Sequence, residues 1–189
     1  MRFLRYVLTL LLLIPVTASA DLISGLWGLG SYNMPRSSGN TGGPGGGGGL
    51  TFEFRGKTLG FETGVLYQGQ VLNGSNLQYL NVPLALRYWW STGLTASFGG
   101  YFKYLINPMP SVDSSDYGAR VTLGYDWPMG QQKEISFAVE CGYQFSLSSP
   151  KVGVQQDQVF FLIGFRFGRS TTPINRSDPL PSLPYTPAN

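Results

Sequence analysis

Residues Leu77–Ile106 read LQYLNVPLALRYWWSTGLTASFGGYFKYLI, and their alternation decides the fold. Leu80, Val82, Leu84, Leu86, Tyr88 and Trp90 share one parity, with Asn81, Pro83, Ala85 and Arg87 on the other. After residues 91–93 the pattern resumes. Leu94, Ala96, Phe98, Phe102 and Tyr104 oppose Thr95, Ser97, Gly99, Tyr101 and Lys103. Successive side chains of a strand point to opposite faces, so this stretch predicts a hairpin with one apolar and one polar face.

The same period recurs on both sides of it. Leu50, Phe52 and Phe54 alternate with Thr51, Glu53 and Arg55, and Leu59, Phe61, Val65 and Tyr67 with Gly60, Glu62, Gly64 and Gln68. Residues 117–127, 135–145 and 159–167 repeat it with Tyr, Leu, Val, Ile and Phe on one parity. A weaker candidate at 22–32 carries Ile23, Trp27 and Leu29 on one face. That makes eight strands. The links between them alternate: long at 34–48, 70–76, 107–116 and 147–156, short at 56–58, 91–93 and 128–133. Short turns at one end and longer loops at the other, with an even strand number, are the signature of a membrane barrel. The prediction is an all-β, eight-stranded antiparallel up-and-down transmembrane β-barrel over residues 21–168.

If the apolar face meets lipid, the other face fills the lumen. Its charges are Glu53, Glu62, Asp126 and Glu140 against Arg55, Arg87, Lys103, Arg120 and Arg166. An eight-stranded barrel has room inside only for side chains. Charges confined there are costly unless paired, so a cross-lumen ion-pair network is expected. Tyr88, Trp90, Tyr125 and Trp127 sit beside the short turns, where an interfacial aromatic girdle is expected.

Composition excludes several functions. The chain has no histidine, which removes imidazole bases and ligands, and Cys141 is its only cysteine. No cofactor and no metal site is expected. Charged residues make up only 12% of the chain, too few for a soluble exterior that hides no charge. Arg2 and Arg5, the apolar run 7–16 and Ala18-Ser19-Ala20 read as a cleaved signal peptide over residues 1–20. Without it the net charge falls from +3 to +1. No basic patch with interleaved aromatics remains, so no nucleic-acid partner is expected. Residues 169–189 carry Pro173, Pro179, Pro181, Pro184 and Pro187 and read as a disordered periplasmic tail. The run Gly42-Gly43-Pro44 to Gly49 lacks the Lys-Ser/Thr of a phosphate-binding loop and reads as a flexible external loop.

The block Leu77–Ile106 resembles the fourth and fifth strands of the PorT-like outer-membrane β-barrel domain family. There a Tyr-Leu-x-x-Pro-Leu strand runs through a short turn into a Gly-x-Tyr strand. Tyr79, Leu80, Pro83 and Leu84 match the first, and Gly99, Gly100 and Tyr101 the second. Residues 117–125, Gly142-Tyr143 and Ile163-Gly164-Phe165-Arg166-Phe167 look like the family's last three strands. The resemblance implies a barrel in the outer membrane of a Gram-negative-type bacterium. The family shares no catalytic motif, so no active residue carries over. The expected partners are outer-membrane lipid, the barrel-assembly machinery during biogenesis, and an unidentified ligand of the external loops.

Two other readings remain open at this stage. A lipid-modifying barrel enzyme would need a nucleophile activated without histidine, and Glu53 with Glu62 is more simply a pair of ion-paired lumen carboxylates. A soluble periplasmic lipocalin-like barrel would reverse the faces and hold an apolar ligand among Phe, Leu and Val.

Overall fold

A computed structural model describes residues 21–36, 39–56, 58–107, 114–129, 134–148 and 155–168. The signal-peptide and proline-tail expectations lie outside them. Eight strands follow one another: β1 (Asp21–Pro35), β2 (Gly42–Arg55), β3 (Leu59–Leu72), β4 (Ser75–Trp89), β5 (Leu94–Leu105), β6 (Ser115–Met129), β7 (Ile135–Ser146) and β8 (Gln156–Phe167). Each pairs antiparallel with its neighbour, and β8 returns to β1 through Trp27↔Gly164 and Tyr32↔Val159. The sheet closes on itself and leaves no edge strand with unpaired backbone groups.

The polarity is inside out. Leu26, Phe54, Leu86, Phe98, Leu123 and Ile163 stand exposed on the outer surface. Glu62, Arg87, Arg120, Glu140 and Gln158 are buried within. The hydrophobic residues are therefore not the core of this molecule, apart from two small internal clusters. One joins Trp27, Leu29, Leu66, Ala138, Phe160 and Leu162. The other joins Leu72, Leu77, Tyr79 and Leu105 beneath the β3–β4 turn.

Four sequence expectations need correction. The glycine run is strand, not loop: Gly45–Gly49 pair with Trp27–Ser31 of β1 and with Leu66–Gln70 of β3. Missing side chains let the neighbouring strands close in. Gln68 on β3 donates to Ser31 on β1 at 3.4 Å across the bare strand between them. A Cβ at Gly47 would lie 3.1 Å from Gln68 Cα and nearer still to the Tyr67 carbonyl, whereas one at Gly30 meets nothing within 4 Å. Gly47→Ala is therefore expected to cost about 1–3 kcal/mol by overpacking, and Gly30→Ala close to nothing. Urea midpoints of the two refolded variants check this contrast.

The second correction concerns the link at 70–76, which contracts to the two-residue turn Asn73-Gly74. Both residues take positive φ, 49° and 77°, the combination a type I′ hairpin turn requires and Asn-Gly supplies at least strain. The external links thus span 36–41, 73–74, 106–114 and 147–155. The third concerns β6, which runs on to Met129 and shortens the turn placed at 128–133. Finally, Ile23, Trp27 and Leu29 point into the lumen, while Leu22 and Leu26 are the exposed apolar residues of β1. Trp27 and Leu29 turn inward because they build the internal cluster with Leu66, Phe160 and Leu162.

Candidate functional site

The interior beside the short-turn end is a compact charge cluster. Strand alternation puts Glu53 and Arg55 (β2), Glu62 (β3), Arg87 (β4), Arg120 and Asp126 (β6), Glu140 (β7) and Arg166 (β8) inside, all buried. Arg87 is the hub. Its Nη1 lies 2.6 Å from Glu140 Oε1, its Nη2 pairs with Glu62, and its Nε lies 3.5 Å from Glu53 Oε2. Arg166 grips Asp126 through Nη1 at 3.1 and 3.0 Å and pairs with Glu140 through Nη2. Glu140 is thus shared by two guanidiniums. Both meet its Oε1, and such charge-assisted bonds offset part of the desolvation that burial imposes.

Trp89, unnoticed in the sequence, stands in the middle of the cluster. Its indole donates to Glu53 Oε1 at 2.6 Å. Arg55 stacks 3.6 Å from the ring centroid, and Arg166 approaches it at 4.8 Å. Trp27 repeats the arrangement, with Arg166 at 5.0 Å and its own indole bonded to Thr51 at 2.8 Å. The signal for Trp89 was its parity, shared with Ala85 and Arg87. Guanidiniums over aromatic faces satisfy charge where water is excluded. Glu53 and Glu62 are register partners that share Arg87, an arrangement suited to ion pairing rather than to proton transfer.

Lys103 is not part of that cluster. Its register partners are Asn81 and Asp116, which places it in the other half of the lumen. There its Nζ donates to Gln158 at 3.0 Å. Carboxamides dominate this half: Asn33, Gln68, Gln70, Asn81, Gln144 and Gln158 are all buried.

The four aromatics expected beside the short turns point outward. Tyr88 and Trp90 meet edge to face at 4.7 Å, and Tyr125 lies 4.6 Å from Trp127. Phe137 and Phe165 extend that band around the barrel, with centroid spacings of 5.7 Å.

The long-loop end is laced by side chains. Asn73 accepts from the Thr41 amide at 2.8 Å and donates to Asn40 at 2.6 Å, tying the β3–β4 turn to the first link. Asn107 accepts from the Gln78 amide at 2.8 Å and donates to the Asn76 carbonyl at 3.0 Å. Asp116 accepts from Tyr101 (3.0 Å), Ser146 (2.7 Å) and Ser148 (2.6 Å). Asp157 receives Arg36 at 2.9 and 2.6 Å and Tyr143 at 3.0 Å. The bond to Asp157 holds the Arg36 guanidinium above its ordinary value. All four links at this end begin or end on such a bond.

No known sequence family matches the chain, and no curated protein does. Solved structures do match. The outer membrane protein OprG from Pseudomonas aeruginosa aligns over 79% of this chain and 95% of its own, with 15% identity and a TM-score of 0.54. Outer membrane protein AlkL, solved in DMPC lipid bilayers, aligns over 79% and 90% with 10% identity and a TM-score of 0.54. Neisserial surface protein A aligns over 77% and 96% with 9% identity and a TM-score of 0.59. At these identities the likeness is one of fold: the closed antiparallel eight-stranded barrel.

Proposed function

We propose that this chain is a non-enzymatic barrel of a Gram-negative-type outer membrane, with a sealed lumen and a laced external rim that carries its binding or membrane-structural role. One observation supports the reading above the others: the barrel is closed, apolar outside and charged within. A sheet with Leu, Phe and Val on its exposed face needs hydrocarbon around it, and only a closed barrel satisfies every strand there. OprG and AlkL are outer membrane proteins by name, which agrees with that solvent. A lipocalin-like binder has nowhere to put an apolar ligand among Arg87, Arg166, Glu140 and Trp89.

The barrel then sits with its short turns in the periplasm, and residues 1–20 serve as its export signal. Outer-membrane lipid surrounds it and the barrel-assembly machinery inserts it. The buried charge cluster lies across the lumen beside the short turns, which fits the side-chain-filled interior of an eight-stranded barrel. The PorT-like family is the finer assignment we favour, on Tyr79, Leu80, Pro83, Leu84 and Gly99–Tyr101.

Cysteine labelling of whole cells tests the placement. In a Cys141→Ser background, Ser114→Cys at the long-loop end is expected to react with a membrane-impermeant maleimide on intact cells. Thr92→Cys at the short-turn end is expected to react only after the outer membrane is opened. Equal labelling of both positions in a soluble fraction would overturn the proposal.

A further inference from the structure

Two internal cations, Lys103 beyond the carboxylate hub and Arg120 at its edge, are linked through one pair of carboxamides. Lys103 on β5 reaches across the barrel to Gln158 on β8, with Nζ 3.0 Å from Oε1. Gln158 is the register partner of Gln144 on β7, and Gln144 is that of Arg120 on β6. Ammonium and guanidinium are therefore joined through one Gln144–Gln158 pair, the first by a hydrogen bond and the second by strand register. All four side chains are buried.

Arg120 is the anomaly among the interior guanidiniums. Among the described residues its Nε, Nη1 and Nη2 make no hydrogen bond, and its nearest paired carboxylate oxygen, Glu62 Oε1, is 3.8 Å away. Phe160 lies 5.0 Å from Cζ and takes one face of the group. That contact leaves the in-plane N–H edge without an acceptor. Gln144, its register partner on β7, has an Oε1 with no donor among the described residues. Asp116, the register partner of Lys103 on β6, spends its oxygens on Tyr101, Ser146 and Ser148. Buried donors left unmade cost more than the same donors made, most of all on a charged group.

We propose that a small monovalent anion of halide size binds between Lys103 and Arg120, over the Gln144–Gln158 pair. It supplies the acceptor that the Arg120 edge lacks and a second partner for the Lys103 ammonium. A turn of the Gln144 carboxamide brings its NH₂ toward the anion, a change of orientation that amides make freely. Single charge follows from burial, since the cost of stripping water from an ion rises steeply with its charge, and small size from a lumen with room only for side chains. The proposal goes beyond the membrane role above and is read on the isolated barrel, wherever the protein resides.

Bromide is the probe. The full chain, refolded in detergent and crystallised from sodium bromide, is expected to show an anomalous scattering peak between Lys103 Nζ and the Arg120 guanidinium. Added bromide at constant ionic strength is expected to raise the unfolding midpoint of the parent relative to that of Gln144→Glu, a difference in which the general salt effect on burial cancels and which binding to the folded state alone requires. Lys103→Met is expected to lose both peak and rise. Gln144→Glu places a carboxylate where the anion sits, and is expected to fold at least as stably as the parent while losing the bromide response. No anomalous peak in the parent chain overturns the proposal, as does a bromide response that survives in Gln144→Glu. Should Lys103→Met fail to fold, the parent peak and Gln144→Glu decide.

Discussion

Glu140→Ala is expected to lower the folding stability of the barrel by about 3–5 kcal/mol, the range for removing one partner of a buried ion pair. Glu140 lies between Arg87, at 2.6 Å from Nη1, and Arg166. Its truncation leaves two guanidiniums in a space that water does not readily enter. Arg166 keeps Asp126 and Arg87 keeps Glu62, yet neither remaining partner replaces the shared carboxylate. The control is Arg36→Gln at the rim, where the Asp157 pair is partly solvent-exposed and worth about 0–1 kcal/mol. Urea titration of both variants, refolded in detergent, separates them by midpoint. Equal midpoints would mean that the interior cluster is hydrated and contributes little.

Leu123→Arg tests the outer face and carries the second large effect. Leu123 lies in the middle of β6, 51% exposed, opposite Ala96 and Cys141. In a bilayer an arginine near the midplane of a barrel wall costs about 2–4 kcal/mol. In water the same substitution on an exposed strand position costs almost nothing. Refolding into liposomes is therefore expected to fail, or to need far milder urea, for Leu123→Arg. A variant that refolds into liposomes as the parent does would place that face in water.

Most of this architecture was legible because strand faces write themselves at period two. β3 through β8 each set one apolar parity against another that carries the charges, and that parity alone put the interior charges on one side. It stopped where side chains stop. Gly45–Gly49 have no side chains to alternate, so the first half of β2 read as a loop although both neighbouring strands pair with it. Gln70 misled for a different reason: an inward polar residue near a strand end resembles a loop, and it hid the Asn73-Gly74 turn behind it. In β1 the rule inverted, since Trp27 and Leu29 serve an internal apolar layer.

Which charge meets which was beyond parity. The hub on Arg87 depends on strand tilt and stagger around the closed barrel, which bring Glu140 of β7 to an arginine on β4. The same stagger carries Lys103 away from the carboxylates of the hub to Gln158. Trp89 could have been found, because its parity is that of Arg87. An aromatic between two inward guanidiniums is a recognisable motif once the inward face is known to be charged.

The central claim is that this barrel wears its apolar face outward into lipid. Heat-modifiability of the cell-envelope fraction tests it most directly, by comparing unboiled and boiled samples on one gel. The account expects the chain in the outer-membrane fraction, with a folded band that migrates differently until boiled. A soluble periplasmic protein whose migration does not change on boiling would contradict it.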